Sequence, residues 1–119
     1  MSNITETLEG LLAVDGAMCA ALVDSSSGML LGKAGAGLDL DVAAAGNTEV
    51  VRAKLKTIKS LGLDDSIDDI LITLSSQYHI IRPLGQNPEV FIYLVLDVAK
   101  SNLALARINV KRADAQLDF

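Results

Sequence analysis

Residues 67–97 read IDDILITLSSQYHIIRPLGQNPEVFIYLVLD, and they decide the fold. Three apolar, strand-sized runs stand in a row, over residues 67–74, 77–84 and 89–96. Ser75-Ser76 divides the first two, and Gly85-Gln86-Asn87-Pro88 turns the chain into the third. Working upstream, Asp39 or Asp41 can cap a helix that reaches residue 60, with Gly62 just past its end as a stop signal. Before that helix lies a hairpin. Residues 17–23 are continuously apolar, as in a strand covered on both faces, Asp24-Ser25-Ser26-Ser27-Gly28 turns, and residues 29–33 form a shorter strand. Asn3 and Glu6 have capping-box spacing, and Ile4, Leu8, Leu11 and Leu12 share one stripe. A first helix is therefore expected over residues 3–13, broken by Asp15-Gly16. Downstream, Ser101 or Asn102 caps a last helix whose stripe is Leu103, Ala106, Val110, Ala113 and Leu117. The order is α-β-β-α-β-β-β-α, an α+β class with five strands in a mainly antiparallel sheet between helices. With no internal repeat and no linker, one domain over residues 1–119 is expected.

A chain of 119 residues can build a core unaided, and 50% hydrophobic residues exclude disorder. Aromatics are only 3%, with no Trp, so the core must be aliphatic and stacking on single-stranded nucleic acid is disfavoured. A net charge of −5 argues against phosphate-backbone binding, so no nucleic-acid partner is expected. Cys19, the single cysteine, has no internal disulfide partner, which fits a reducing cytosol. The start Met1-Ser2-Asn3-Ile4 lacks the basic and apolar regions of a signal peptide. The longest apolar run, Val90 to Leu96, is far short of the roughly 20 residues that cross a bilayer. A soluble, cytoplasmic protein with no membrane insertion is expected.

The middle helix carries the most information. At about 100° per residue, its apolar positions cover roughly 220° of the circumference, more than one buried face needs. Lys54 and Asn47 divide that arc. Val51, Leu55 and Ile58 are the larger set and suit packing on the domain's own sheet. Val42, Ala43, Gly46, Val50 and Ala53 are smaller, and small side chains let two helix axes approach closely. No other element of so short a chain remains to cover this second face, so a subunit interface is expected there. The same helix carries the one basic stretch. Arg52, Lys56 and Lys59 share a face, with Thr48 and Glu49 nearby, and form a candidate docking surface for an acidic partner.

Catalytic chemistry finds no footing. Gly35-Ala36-Gly37 precedes a helix as a phosphate-binding turn does, yet no Lys-Ser/Thr pair follows, and Asp39 and Asp41 sit where an anion would bind. Asp64, Asp65, Asp68 and Asp69 are dense in charge but lack the calcium-loop pattern, so a solvated turn is expected. His79, the single histidine, could serve as a base only with Ser75, Ser76 or Cys19 in reach. Cys19 reads as a small buried hydrophobe. No catalytic residue, metal site or cofactor is expected.

Leu8 through Gly16, then Ala20-Ala21-Leu22-Val23-Asp24, then Gly28-Met29-Leu30-Leu31, resemble the opening of roadblock (dynein light chain roadblock-type) domains. Ile80-Ile81-Arg82-Pro83-Leu84, the strand from Val90 to Asp97, and Asn102-Leu103-Ala104-Leu105-Ala106-Arg107 are similar to that family's end. The resemblance spans Ile4 to Leu117, and the absence of a long basic N-terminal extension makes the chain look like the bacterial, mutual gliding protein B-like type. It implies the roadblock or profilin-like fold: a single-layer, five-stranded sheet with the first and last helices on one face and the middle helix on the other. It also implies homodimers in which middle helices lie antiparallel and edge strands continue one sheet. The bacterial members pair with Ras-like small GTPases, so a non-catalytic homodimeric scaffold or regulator of such a GTPase is expected. The rival expectations are a small-ligand sensory domain and a scaffold subunit without a GTPase. The sensory reading is disfavoured because the inward-facing residues look uniformly aliphatic, and pockets need a few polar groups.

Overall fold

The computed structural model describes residues 3–117, and the expected domain limits at residues 1 and 119 lie outside the described residues. Helix α1 (Ile4–Leu11) is followed by strands β1 (Ala17–Asp24) and β2 (Met29–Gly35) and helix α2 (Leu40–Ser60). Strands β3 (Ile70–Thr73), β4 (Gln77–Pro83) and β5 (Val90–Asp97) come next, then a 3-10 turn at Val98–Lys100 and helix α3 (Leu103–Gln116). The strands form one sheet in the order β2-β1-β5-β4-β3, and every pairing is antiparallel.

The last strand made lies at the centre. Leu94 of β5 stands opposite both Ala20 of β1 and Ile80 of β4. Central position explains why this run is apolar without alternation: side chains on both faces are buried. Ile92, Leu94 and Leu96 enter the layer beneath α1 and α3, where Leu8, Leu11, Ala106, Val110 and Ala113 meet them. Phe91, Tyr93 and Val95 enter the opposite layer beneath α2. β1 divides likewise, with Ala20 and Leu22 on the first face and Cys19, Ala21 and Val23 on the second. The first layer therefore has two helices and the second has one, which lies chiefly over β1 and β2.

The ends of α2 are set by local chemistry. The Asp39 carboxylate accepts from the amides of Asp41 and Val42 at 3.1 and 3.2 Å, satisfying two otherwise orphaned donors. At the other end Gly62 adopts φ 69°, its N–H bonds Lys59 and that of Leu63 bonds Ile58, a Schellman closure. Asn102 caps α3 by accepting from the Leu105 amide at 3.1 Å. Among the described residues no helix is long and apolar enough to cross a membrane.

Four details depart from the sequence reading, the first being that β2 runs to Gly35, two residues past the expected 29–33, because Ala34 and Gly35 still pair with Ala20 and Cys19. The capping box at α1 does not form: Asn3 makes no side-chain capping bond, and its Nδ2 donates to the Gln116 carbonyl at 2.7 Å, tying α1 to the end of α3. α1 stops at Leu11, because Ala13 and Val14 bond three residues back in a tightened turn. β3 is limited to Ile70–Thr73, short of the expected 67–74. Residues 67–69 are held by side chains in place of a ladder. The Asp68 carbonyl accepts from Arg82 Nη1 at 3.2 Å, and the Asp69 carboxylate accepts from Arg107 at 2.8 and 3.0 Å.

Candidate functional site

The buried stripe of α2 runs through Leu40, Ala44, Thr48 and Val51, with Leu55 and Ile58 half-buried beyond it. Thr48 is buried at the sheet-side border of the basic arc, one turn from Arg52. Its hydroxyl is satisfied by donating to the Ala44 carbonyl at 2.7 Å. The larger apolar set packs on the sheet, as its size suggested. Of the smaller set, Val42 is 68% exposed and Val50 37% exposed, Ala53 is exposed, and a Cβ on Gly46 would meet nothing within 4 Å. At about 100° per residue these four span an arc of about 80°. Ala43 is the exception: it is half-buried and packs against the sheet-side core.

This uncovered face continues onto the sheet. Val50, Ala53, Lys54 and Thr57, with Asp69 and Ile70, line an open cleft of about 540 Å³ between α2 and the start of β3. β3 is an edge strand whose one strand neighbour is β4. Leu61 and Leu63 in the α2–β3 connection, with Leu71 and Leu74 on and after the strand, are all exposed. None of these four leucines nor Ile70 was singled out from sequence, where an edge strand and an interior one look alike.

Arg52, Lys56 and Lys59 are all exposed on a different flank. Arg52 and Leu55 border a shallow depression with Ser25, Ser26 and Glu89, so this flank faces the β1–β2 turn. Helical geometry places the basic arc about 110° from the apolar face. Among the described residues the ion pairs are Arg82–Asp114 and Arg107–Asp69, and neither draws on the basic arc.

The layer beneath α2 is not uniformly aliphatic, contrary to expectation. Tyr93, 2% exposed, has its hydroxyl 2.9 Å from His79 Nδ1, and His79 Nε2 lies 2.9 Å from Gln77 Oε1. Asn47 of α2 lies near the same tyrosine hydroxyl, and Gln77 Nε2 donates to Met18 Sδ at 3.8 Å. The imidazole and phenol rings meet edge to face, with centroids 5.4 Å apart. Burial lowers the proton affinity of His79 below the ordinary 6.5 and raises that of Tyr93 above 10. His79 thus engages Tyr93 and Gln77, not Ser75, Ser76 or Cys19. Cys19 is fully buried, and burial raises its thiol's pKa, the opposite of an activated nucleophile. The sequence did hold a hint: Gln77, His79 and Ile81 alternate on one strand face, and Tyr93 interrupts an aliphatic run.

At the Gly35-Ala36-Gly37 loop the Asp39 carboxylate already occupies the helix amides that an anion would need. In the acidic cluster Asp69 is taken by Arg107, and Asp64, Asp65 and Asp68 are exposed. Among the described residues no group of three or more His, Cys, Asp or Glu is placed to hold a metal ion. The Asn102-to-Arg107 segment has a structural explanation. Asn102 caps α3, Leu103 packs on the core, and Arg107 clamps the residues that lead into β3.

No protein-family model matches the sequence, and no curated protein matches it. Solved structures do match in fold. MglB of Myxococcus xanthus superposes with a TM-score of 0.83 at 21% identity, over 95% of this chain and 89% of that one. The gliding protein MglB of Thermus thermophilus gives 0.78 at 24% identity, over 92% and 81%. A roadblock/LC7 domain from Streptomyces avermitilis gives 0.80 at 13% identity, over 92% and 90%. The strand order, the two-against-one helix layers and these superpositions agree: this chain has the roadblock fold, in the form seen in the MglB structures.

Proposed function

We propose that this chain is a non-catalytic, homodimeric interaction module that scaffolds or regulates a Ras-like small GTPase in the cytoplasm. The observation that carries the reading is the uncovered apolar face of α2, running over an open cleft to the unpaired edge of β3. A second copy related by a two-fold axis presents the same small residues and the same edge, so it is self-complementary. Antiparallel packing of the two α2 helices would bury Val42, Gly46, Val50 and Ala53. The two β3 edges would continue one sheet, removing an exposed edge that otherwise invites uncontrolled pairing. The likeness to MglB structures, one of them described as a tetrameric arrangement, supports an assembling module.

The paired helices leave Arg52, Lys56 and Lys59 of both subunits outward, a local basic patch on a protein of net charge −5. Such a patch steers and orients an acidic partner without supplying most of the affinity. The GTPase itself enters through the family resemblance. Two measurements test the reading. Light scattering should give a dimer at micromolar concentration, with Val50→Glu monomeric. Pull-down from native cytosol should recover a small GTPase that favours one nucleotide state. A monomeric wild type ends the dimer reading. A dimer that recovers no GTPase in either state leaves a scaffold of another complex.

A further inference from the structure

Charge is segregated along α2. From its cap to Glu49 the segment holds Asp39, Asp41 and Glu49 and no base. From Arg52 to Lys59 it holds Arg52, Lys54, Lys56 and Lys59 and no acid. All of these side chains are exposed. A parallel second copy would set like charges and like dipole ends side by side, whereas a reversed copy sets each acidic half against a basic one. The helix is electrostatically complementary to itself, run backwards.

Large exposed apolar side chains stand at both ends of the same helix, with the small ones between them. Leu38 and Val42 are exposed at its start, and Leu61 and Leu63 are 66% and 53% exposed just beyond its end. Leu61 keeps a right-handed helical conformation, and eleven residues after Val50 it lies about 20° from it around the axis. The uncovered face therefore runs on to Leu61. Gly62, at φ 69°, then turns the chain, and the contact that often anchors the residue after such a turn leaves Leu63 half open.

We propose that the two ends clasp across the dimer: Leu61 and Leu63 of each subunit close over Leu38 and Val42 of the partner subunit. The clasp rests on the dimer reading above and adds what fixes its register. The small residues set how closely the helices approach, and the leucines set how far one slides along the other. If the helices cross between Gly46 and Val50, two-fold symmetry sets against each other residues whose numbers sum to roughly 92–100. Leu61 then meets the partner at about residues 31–39, the stretch that holds Leu38. Symmetry makes the contact twice, once at each end of the pair.

Cross-linking tests the clasp. A disulfide needs Cα atoms within about 7 Å, and residues 38 and 61 flank a helix of 21 residues, about 31 Å long, so no link can form within one chain. The native Cys19 is fully buried. The double variant Leu38→Cys with Leu61→Cys is oxidised at micromolar concentration and read on a non-reducing gel, beside each single variant. A covalent dimer from the double variant, with little from either single one, is expected. No covalent dimer from the double variant, or as much from either single one, overturns the clasp. Light scattering before oxidation separates the two readings: a monomer ends the dimer and the clasp together, while a dimer without the link ends the clasp alone. A second measurement needs no cysteine. Leu61→Gln should raise the dimer's dissociation constant about 100-fold, since two leucines lose their cover. Leu105→Gln, at a 47% exposed leucine on α3, should leave it unchanged. Equal effects of the two overturn the proposal.

Discussion

Gly46→Leu separates the stability of the protomer from that of the pair, because the two should move in opposite directions. Within the protomer Gly46 is exposed and helical, its φ is not positive, and an added Cβ meets nothing within 4 Å. Removing a mid-helix glycine there should stabilise α2 by about 0.5–1 kcal/mol. Across a helix–helix contact the same leucine overfills the closest approach, at a cost of about 1–3 kcal/mol. Two-fold symmetry introduces it twice, so the pair loses about 2–6 kcal/mol. At about 1.4 kcal/mol per decade, the dimer weakens between about 30-fold and about 20,000-fold.

The assay is a dilution series by light scattering for the dimer, paired with urea unfolding at the lowest concentration for the protomer. Concentration matters because a dimer's apparent stability includes its association. The expected result is a protomer at least as stable as wild type and a dissociation constant raised into the range above. If Gly46→Leu raises stability at every concentration and leaves the dissociation constant unchanged, the small-residue face is not the interface.

Arg52→Glu with Lys56→Glu should slow association with an acidic partner and flatten its dependence on salt, with the dimer intact by light scattering. Asp114→Asn should cost about 1–3 kcal/mol in urea unfolding, since Asp114 is 12% exposed and holds both Arg82 Nε at 2.8 Å and the Gly85 amide. Arg107→Met, removing an ion pair whose arginine is 51% exposed, should cost under about 1 kcal/mol. Gly16→Ala should cost more than about 1 kcal/mol, read as a fall in melting temperature. It forces a side chain into φ 82° and brings a Cβ to 2.8 Å from that of Ser101.

The elements were legible because local signals agreed with one another. Asp39, Gly62 and Asn102 cap or end the helices they were expected to, and the stripe from Leu103 to Leu117 lies in the core as read. Errors arose where a distant residue outbid a local one. Asn3 has the spacing of a capping box, yet the Gln116 carbonyl takes its side chain. The apolar run reads as starting at Ile67, but Asp68 and Asp69 suit a strand poorly, and Arg82 and Arg107 hold them off the ladder. Thr48 borders the basic arc as its spacing implies, and one bond back to Ala44 lets it also sit in the core. The candidate face on α2 was visible as an excess of small apolar residues. Its continuation on β3 and in the α2–β3 connection was not, since strand order is a property of the whole sheet.

The asymmetry between the two faces of the sheet bears on where the proposed second copy would lie. Five strands at about 4.8 Å spacing make a layer about 19 Å wide, and a helix with its side chains covers about 10 Å. Two helices suffice for one face, and α1 over β1 and β2 with α3 over β4 and β5 supply them. On the other face α2 lies chiefly over β1 and β2, and β4 and β3 are left thinly covered. Ile70, Ile72, Gln77 and His79 are only partly buried there, and the cleft of about 540 Å³ opens beside α2. One more helix of ordinary width would complete the layer. The small residues of α2 border the place where it would lie, so an antiparallel α2 from a second copy fits both the width and the surface.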